Sequence, residues 1–357
     1  MSRDLEPADI ADVGVTDTTD VATIDIPDRM RAATCRRYGS ADEIAVEDVP
    51  VPRPGEGKVL IKVEAASLNA LDRHLTVGSP LLMRAFGGLR SPRRLGPGAD
   101  VAGTVVAVGA GVDELVVGDA VFGETVGGTC AHYVVGKPDQ VARMPDGVSF
   151  TDAAATPVAG LTALQGLRQH GNVQAGQRVL INGAAGGVGT FAVQIAKADG
   201  AHVTAVCSAR NLDMVRRLGA DEVIDYTIDS VVARRRSGAE PFDLIFDNAD
   251  TFTPSEAIEL LVPGGRLVGI GSADLSSTLG ILGGMVRKHV RFGRSDRSFH
   301  SVMASPNRED LTTLAGLLAD GTVVPEIQRT VGLDGVADGV RELCTGHARS
   351  KIVVVPD

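Results

Sequence analysis

The stretch RVLINGAAGGVGTFAVQIAK, residues 178–197, holds the strongest structural signal in this chain of 357 residues. Its first five residues predict a buried strand, and Thr190–Asp199 carries apolar side chains at helical spacing. The turn between them has glycines at 183, 186 and 189, which let a pyrophosphate approach the backbone, and a helix start adds unpaired N–H groups. Strand, turn and helix together predict a dinucleotide site at Ala185, Gly186, Gly187 and Val188. The alternative is a glycine turn that binds nothing.

Strands and helices continue to alternate beyond this turn. We predict strands at 202–206, 222–226, 243–247 and 266–271, and a helix at 211–218 that stops at Gly219. This alternation predicts a doubly wound parallel sheet.

The residues between Ala32 and about Pro157 show a different pattern. Lys58–Ala65, KVLIKVEA, alternates apolar and polar residues as a half-buried strand does, and Val101–Val108 predicts another strand. Short strands separated by Gly and Pro predict a small barrel-like β domain. A helix at 310–319 and a strand at 351–355 end the chain.

Residues 1–30 differ from the rest because they hold eight acidic residues against two arginines and no apolar period. This composition predicts a disordered acidic tail. A docking segment for a partner is the alternative.

Composition excludes several classes of protein. A formal charge of −10, no Trp and only 3% aromatic residues argue against a nucleic-acid partner. The cysteines at 35, 130, 207 and 344 are too far apart in sequence to predict a disulfide scaffold or a four-thiolate zinc site. No secretory signal and no membrane-spanning apolar run are found, so we expect a reduced, cytoplasmic protein without a membrane partner.

The end of the second predicted strand of the parallel sheet bears on the choice of nicotinamide cofactor. An NAD site usually places Asp or Glu there, whereas this chain has CSARN at 207–211. No carboxylate repels a 2′-phosphate, while Ser208 offers a hydrogen bond and Arg210 a charged fork. The segment therefore favours NADPH, although Arg210 is also explained as a solvated charge where a helix begins.

At this point the sequence resembles the zinc-independent branch of the medium-chain dehydrogenase/reductase superfamily, the quinone oxidoreductase and enoyl reductase-like group. The matching segments run from about residue 32 to the end of the chain and include VLIKVEAASLNALD at 59–72, GADVAGTVVAV at 98–108, GLTA at 160–163, GAAGGVGTFAVQIAK at 183–197, RLGADEVIDY at 217–226 and PGGRLVGIG at 263–271. The resemblance implies an α/β fold: a GroES-like β-barrel catalytic domain split around a Rossmann domain with a doubly wound parallel sheet. The expected divisions are a tail at 1–30, the catalytic domain at 31–157, the Rossmann NADPH-binding domain at 158–300 and a return to the catalytic domain at 301–357.

The resemblance also implies roles for single residues. Tyr226 matches a tyrosine that contacts the adenosine 2′-phosphate in relatives. Thr162, Asn248 and Gly271 match positions that line the nicotinamide half of the cofactor site. Asn69, in the N-x-x-D motif closed by Asp72, matches a residue near the nicotinamide. Relatives often pair their Rossmann sheets across a two-fold axis, which implies a homodimer.

Two departures from the family pattern bear on the chemistry. In zinc-dependent relatives a Cys stands near the end of the strand that corresponds to Val59–Ser67, and Gly-His-Glu stands where this chain has Gly98-Ala99-Asp100. Those metal ligands are missing, so we expect no metal. The second departure is His74, where relatives often carry a tyrosine.

His74 is a candidate proton donor, because an imidazole titrates near neutral pH. A surface histidine beside Arg73 is the alternative. Thr76–Gly96, rich in Gly, Leu and Arg, is either a cover of the substrate cleft or a plain surface loop.

Without a metal Lewis acid, hydride delivery to a carbon activated by conjugation is the favoured chemistry. The sequence thus predicts an NADPH-dependent, metal-independent reductase of an α,β-unsaturated carbonyl compound or quinone. Asn69 and His74 are its candidate catalytic residues. An NADPH-binding sensor or scaffold without turnover and a carbonyl-reducing alcohol dehydrogenase are the alternatives.

Overall fold

A computed structural model describes residues 25–79, 84, 96–125, 127–270, 278–345 and 349–357. Residues 1–24 of the predicted tail, the predicted site residue Gly271 and most of the Thr76–Gly96 stretch lie outside the described residues. The first strand begins at Arg29, within the segment that the sequence assigns to the tail. The other predicted domain boundaries stay predictions.

The strands, in chain order, are β1 (Arg29–Cys35), β2 (Ile44–Pro50), β3 (Val59–Leu68), β4 (Asp100–Val108), β5 (Ala120–Glu124), β6 (Tyr133–Gly136), β7 (Val141–Arg143), β8 (Arg178–Asn182), β9 (His202–Cys207), β10 (Glu222–Asp225), β11 (Phe242–Asp247), β12 (Leu261–Ile270), β13 (Ser298–Val302), β14 (Ile327–Val331) and β15 (Lys351–Val354). The α-helices are α1 (Ala70–Val77), α2 (Phe150–Ala154), α3 (Pro157–Leu164), α4 (Gly187–Ala198), α5 (Leu212–Arg217), α6 (Val231–Arg236), α7 (Pro254–Leu260), α8 (Thr278–Phe292), α9 (Arg308–Ala319) and α10 (Val336–Cys344).

The first sheet has seven strands in the order β14-β15-β3-β4-β5-β7, and β6 pairs with β3 beside β15. The last strand of the chain, β15, thus pairs with the end of β3, a strand from the early part of the sequence. The predicted alternation of a half-buried strand holds at Lys62 and Glu64, which are not buried, but it fails at Leu60, which is as fully buried as Val59 and Ile61. The separate β1–β2 pair covers the second face, where Leu60 packs in a cluster that includes Met30 and Val49.

The second sheet has six strands, all parallel, in the order β10-β9-β8-β11-β12-β13. The strand order reverses between β8 and β11, and ligands of such sheets bind outside the carboxyl ends of the strands at this point. Asn182 and Asp247 end these two strands and lie opposite each other in register.

Helix α4 begins at Gly187, earlier than the predicted start at Thr190. Glycine has a low helix propensity, but a Cβ on Gly189 would meet the carbonyl oxygen of Gly183 at 2.2 Å, so the first turn requires glycine there. The early start places Gly187 and Val188 in the first turn, beside the end of β8.

Strand register in the first sheet also brings distant residues together. Ser67 of β3 lies opposite Asp100 of β4 on one side and Val353 of β15 on the other. The ends of three strands therefore meet where β3 leads into Asn69. Within the ranges described above, no helix is long and apolar enough to cross a membrane.

Candidate active site

A buried polar cluster lies where β3, β4 and β15 meet. The Lys351 ammonium lies 3.0 Å from Oδ2 of Asp100 and donates to Oδ1 of Asn69 at 2.5 Å. Asn69 Nδ2 donates to the same carboxylate oxygen at 2.9 Å, and the Ser67 hydroxyl donates to it at 2.6 Å. We call these four residues the Asn69 cluster. The side chains of Lys351 and Asp100 are 2% and 0% exposed.

Asp100 also connects the cluster to the helix that follows the first domain. Its Oδ1 accepts the backbone N–H of Val158 at 2.8 Å, in the first turn of α3, where a carboxylate is favoured by the helix dipole. One turn later Thr162 donates from its hydroxyl to the carbonyl oxygen of Val158 at 2.6 Å. The predicted cofactor residue Thr162 thus lies on the helix that Asp100 fixes.

Asp72 closes the N-x-x-D motif with two backbone bonds. Its carboxylate accepts the N–H of Asn69 at 2.7 Å and that of Gly98 at 2.6 Å. Full burial outweighs these bonds and raises the pKa of Asp72 to about 6. The buried Cys130 thiol has a pKa well above its usual value, because burial and the carboxylates of Asp72 and Asp100 disfavour a thiolate. Cys130 is therefore no nucleophile at neutral pH.

The glycine turn lies on the other side of Lys351. The backbone of the turn is tightly packed, since a Cβ on Gly189 would meet the carbonyl oxygen of Gly183 at 2.2 Å. Gly183 itself has a φ of +78°, in the left-handed region. A Cβ on Gly186 would meet nothing closer than 3.5 Å, so this glycine borders space. No side chain caps the first turn of α4, which leaves its N–H groups to a pyrophosphate. The residues fit a dinucleotide.

Asn248, for which the resemblance implies a place along the nicotinamide half, lies beside this space. Its Nδ2 is the atom 3.5 Å from a Cβ built on Gly186, and its backbone N–H donates to the carbonyl oxygen of Asn182 at 3.0 Å. Asn182 Nδ2 in turn donates to Asp247 at 2.7 Å, and burial raises the pKa of that carboxyl group. The turn between β11 and α7 is thereby fixed against the end of β8.

The three predicted residues of the 2′-phosphate site lie at the ends of two neighbouring strands. Ser208 and Arg210 follow β9, and Tyr226 follows β10, with its N–H bonded to the carbonyl oxygen of Cys207 at 3.1 Å. The Ser208 hydroxyl accepts from Asn211 Nδ2 at 3.2 Å. Arg210 and Tyr226 are exposed. The neighbouring strands bring these residues to one edge of the sheet.

His74 lies in the last turn of α1, half-buried. Its Nδ1 is 3.2 Å from the carbonyl oxygen of Ser79, and because a carbonyl only accepts, Nδ1 carries the proton in this contact. Burial lowers the pKa of His74, and Arg73 adds to the effect. The imidazole is therefore neutral at neutral pH, and its single N–H is hydrogen-bonded to the carbonyl oxygen of Ser79.

A cavity of about 140 Å³ lies next to Asp72. Its lining combines apolar and polar side chains: Leu71, Leu75, Pro306, Glu124, Thr125 and Gln140. Asp72 and Gly98 form the wall nearest the Asn69 cluster. A cavity with this mixed lining suits the body of a small molecule with one or two polar groups.

Two family models match the chain. One is described as the alcohol dehydrogenase GroES-like domain and matches residues 55–165, and the other is described as zinc-binding dehydrogenase and matches residues 218–354. A chloroplastic quinone-oxidoreductase homolog of Spinacia oleracea is 33% identical over 328 residues, which cover 89% of this chain and 95% of that protein. The trans-enoyl reductase pgmF of Aspergillus terreus is 35% identical over 318 residues, covering 85% of this chain and 87% of that protein.

Solved structures agree with these relatives. The quinone oxidoreductase from Coxiella burnetii has a TM-score of 0.80 and 30% identity, and the match covers 92% of this chain and 99% of that one. The chain belongs to the quinone oxidoreductase and enoyl reductase-like group of the medium-chain dehydrogenase/reductase superfamily. The predicted family and the predicted fold, a GroES-like domain with a Rossmann sheet, are confirmed, and the chain is an oxidoreductase of the nicotinamide-dependent type.

Two members of the Asn69 cluster come from the segments in which the sequence departs from the zinc-dependent pattern. Ser67 and Asp100 lie in the two segments that carry the ligands in zinc-dependent relatives, and Ala99 stands in place of the histidine. Among the described residues, no three His, Cys, Asp or Glu side chains are arranged to hold a metal ion. A buried ammonium group bonds to Asp100 instead.

Sequence reasoning missed Lys351, Asp100 and Ser67 as members of the site. The available signal was a charged residue in an otherwise apolar strand, since Lys351 precedes Ile352, Val353 and Val354 and all four are buried. Such a lysine needs a buried partner.

Proposed function

We propose that this oxidoreductase uses NADPH to reduce an α,β-unsaturated carbonyl compound or a quinone without a metal ion. The observation that carries the proposal is the Asn69 amide, which Asp100 and Lys351 hold. Lys351 also packs against Gly187 of the glycine turn, and Asp72, which lines the cavity, accepts the backbone N–H of Asn69. Two relatives, a quinone-oxidoreductase homolog and a trans-enoyl reductase, support the same substrate classes.

Each group of residues has a defined task in this proposal. The turn Ala185–Val188 binds the pyrophosphate with backbone N–H groups, and Thr162 and Asn248 line the nicotinamide half. When bound, the cofactor supplies a hydride to the substrate, and solvent water supplies the proton that completes the reduction. Asn69 donates an N–H to the substrate oxygen, where negative charge develops as the hydride arrives. The cavity beside Asp72 holds the body of the substrate.

The residues at the metal-ligand positions support metal independence. Ala99 has no ligand atom, and Asp100 already accepts from Lys351, Ser67, Asn69 and Val158. Charge stabilisation therefore has to come from hydrogen-bond donors of the protein.

The test is cofactor oxidation, followed at 340 nm, with a panel of quinones and enones after treatment of the protein with a chelator. We expect turnover with at least one acceptor, unchanged by the chelator. The proposal would be overturned if no acceptor of the panel supports NADPH oxidation. It would also be overturned if the chelated protein regains turnover only when zinc is added.

Arg210→Ala should weaken the preference for NADPH over NADH. The guanidinium lies at the sheet edge with Ser208 and Tyr226, where a 2′-phosphate would accept a charged hydrogen bond. Losing such a bond reduces the NADPH/NADH affinity ratio roughly tenfold or more. Fluorescence titration with both cofactors measures the ratio.

Arg236→Ala is the matched control for this substitution. Arg236 is also exposed and lies at the end of α6, where it pairs with Glu259. It is not among the residues assigned to the cofactor, so both cofactor affinities should stay unchanged. A wild type that binds NADH and NADPH equally well would contradict the assignment of Ser208, Arg210 and Tyr226.

His74→Phe should retain the wild-type turnover number at pH 7.5. A general acid must hold a proton to give, and the pKa of His74 is lowered, so its charged form is lost as pH rises through a value below 6.5. The pH profile of the turnover number checks this. Burial raises the pKa of Asp72 to about 6, so a titration in that range that survives in the variant agrees with Asp72 and not with His74.

The opposite outcome would restore His74 as the proton donor. A turnover number at least tenfold lower, with NADPH affinity unchanged and one titration missing from the profile, is what general acid catalysis by this residue requires.

The homodimer and the cytoplasmic location also stay predictions.

A further inference from the structure

The Lys351–Asp100 ion pair is a costly way to fill this part of the protein. Burying two charges removes their hydration, and apolar side chains of similar size usually stabilise a fold as well or better. The neighbours of Lys351 along β15 are apolar and buried. Packing alone therefore does not account for a lysine at this position.

The position of the lysine connects the cofactor turn to Asn69. A Cβ built on Gly187, in the first turn of α4, would lie 3.2 Å from Cδ of Lys351. The preceding residue, Ser350, donates its N–H to the carbonyl oxygen of Ala185 at 2.9 Å. From this anchored backbone the ammonium reaches Asn69, 282 residues away in sequence.

The two partners determine which way the Asn69 amide points. An ammonium group only donates, so Oδ1 of Asn69 must face Lys351, and a carboxylate only accepts, so Nδ2 must face Asp100. One hydrogen of the amide remains for another acceptor. Asn69 is 8% exposed, whereas Asp100 is fully buried, so Asn69 is the most accessible residue of the cluster. An amide whose oxygen accepts from a cation is also a stronger N–H donor.

We propose that Lys351 is a positioning residue that, together with Asp100, holds the Asn69 amide with its second N–H directed at the substrate oxygen. Lys351 acts through Asn69 and touches neither substrate nor the transferred hydride. The inference rests on the proposed function for the identity of that acceptor. The orientation of the amide does not depend on it.

The principal test is Lys351→Met, compared with Ile352→Met as the matched control on the same strand. Ile352 is equally buried but belongs to the apolar cluster of the first sheet, so its variant measures the effect of repacking β15 alone. Three quantities are measured for each: NADPH affinity, turnover number, and hydrogen exchange of the Asn69 side-chain amide by NMR. The amide signal is assigned by its absence in an Asn69→Leu variant.

In Lys351→Met, we expect the hydrogens of the Asn69 side-chain amide to exchange at least tenfold faster than in the wild type. We expect the turnover number to fall about tenfold. NADPH affinity should change less than threefold, and Ile352→Met should match the wild type in all three quantities. An unchanged exchange rate in Lys351→Met would overturn the inference. So would an unchanged turnover number, or a loss of NADPH affinity that accounts for the whole effect.

Lys351→Gln keeps the test decisive if the methionine variant does not fold. Glutamine retains a neutral donor beside Asp100 but removes the charge, so the same faster exchange and lower turnover are expected in a folded protein. A wild type without turnover on any acceptor would defeat the proposed function and the role of the N–H toward substrate. The amide exchange in that case still decides whether Lys351 orients Asn69.

Discussion

Gly186→Val should abolish NADPH binding at concentrations that saturate the wild type while leaving the protein folded. Gly186 precedes α4 with a φ of −78° and a ψ of 169°, a conformation that valine adopts readily. Its Cβ would meet nothing closer than 3.5 Å within the protein, but the branched side chain would fill the space in which a pyrophosphate approaches the first turn. Losing two or more charged hydrogen bonds costs about 3 kcal/mol or more, which is at least about 100-fold in affinity.

Fluorescence titration with NADPH and a melting temperature are the two measurements for this variant. Gly55→Val is the control, because Gly55 is exposed, has no positive φ, and a Cβ there would meet nothing within 4 Å. The control should bind NADPH as the wild type does. Unimpaired NADPH binding by a folded Gly186→Val protein would remove the glycine turn from the cofactor site.

The stretch around the glycine turn could be predicted because its signals are local. The predicted strand Arg178–Asn182 has the bounds that the structure gives β8, and an apolar period identified α4. Only the helix start was misplaced, because glycine has a low helix propensity, although the close packing of the first turn requires it at Gly189. The doubly wound parallel sheet could likewise be predicted, because the alternation of strands and helices is visible along the sequence.

The Asn69 cluster could not be predicted because it depends on register between distant strands. Lys351 and Asp100 are 251 residues apart, and they meet only because β3 pairs with β15 on one side and β4 on the other. The burial of Leu60 escaped prediction for the same reason, since it depends on a β1–β2 pair that covers the second face of β3. Family resemblance identified Asn69 but gave no reason for its orientation.

Asn69→Leu should lower the turnover number about 100- to 1000-fold, the usual cost of removing one donor from a developing oxyanion. Leucine has a similar volume, and the backbone N–H of residue 69 still donates to Asp72, so the start of α1 keeps that bond. Asp100 retains Lys351, Ser67 and Val158 as donors. The substitution thus removes the side-chain donor while most of the buried network stays satisfied.

Comparing the turnover number with NADPH affinity and melting temperature distinguishes a catalytic donor from a structural residue. Because Asn69 acts on the substrate oxygen in the transition state, the turnover number should fall while NADPH affinity stays within about threefold of the wild type. Asn307→Ala is the control. The Asn307 side chain caps α9 by accepting the N–H of Asp310, and losing such a cap costs about 1 kcal/mol of stability. The turnover number of this control should match that of the wild type. If Asn69→Leu lowers the melting temperature no more than this control yet keeps its turnover number, the developing charge must be stabilised by another donor. The backbone N–H groups at the cleft would then be the next candidates.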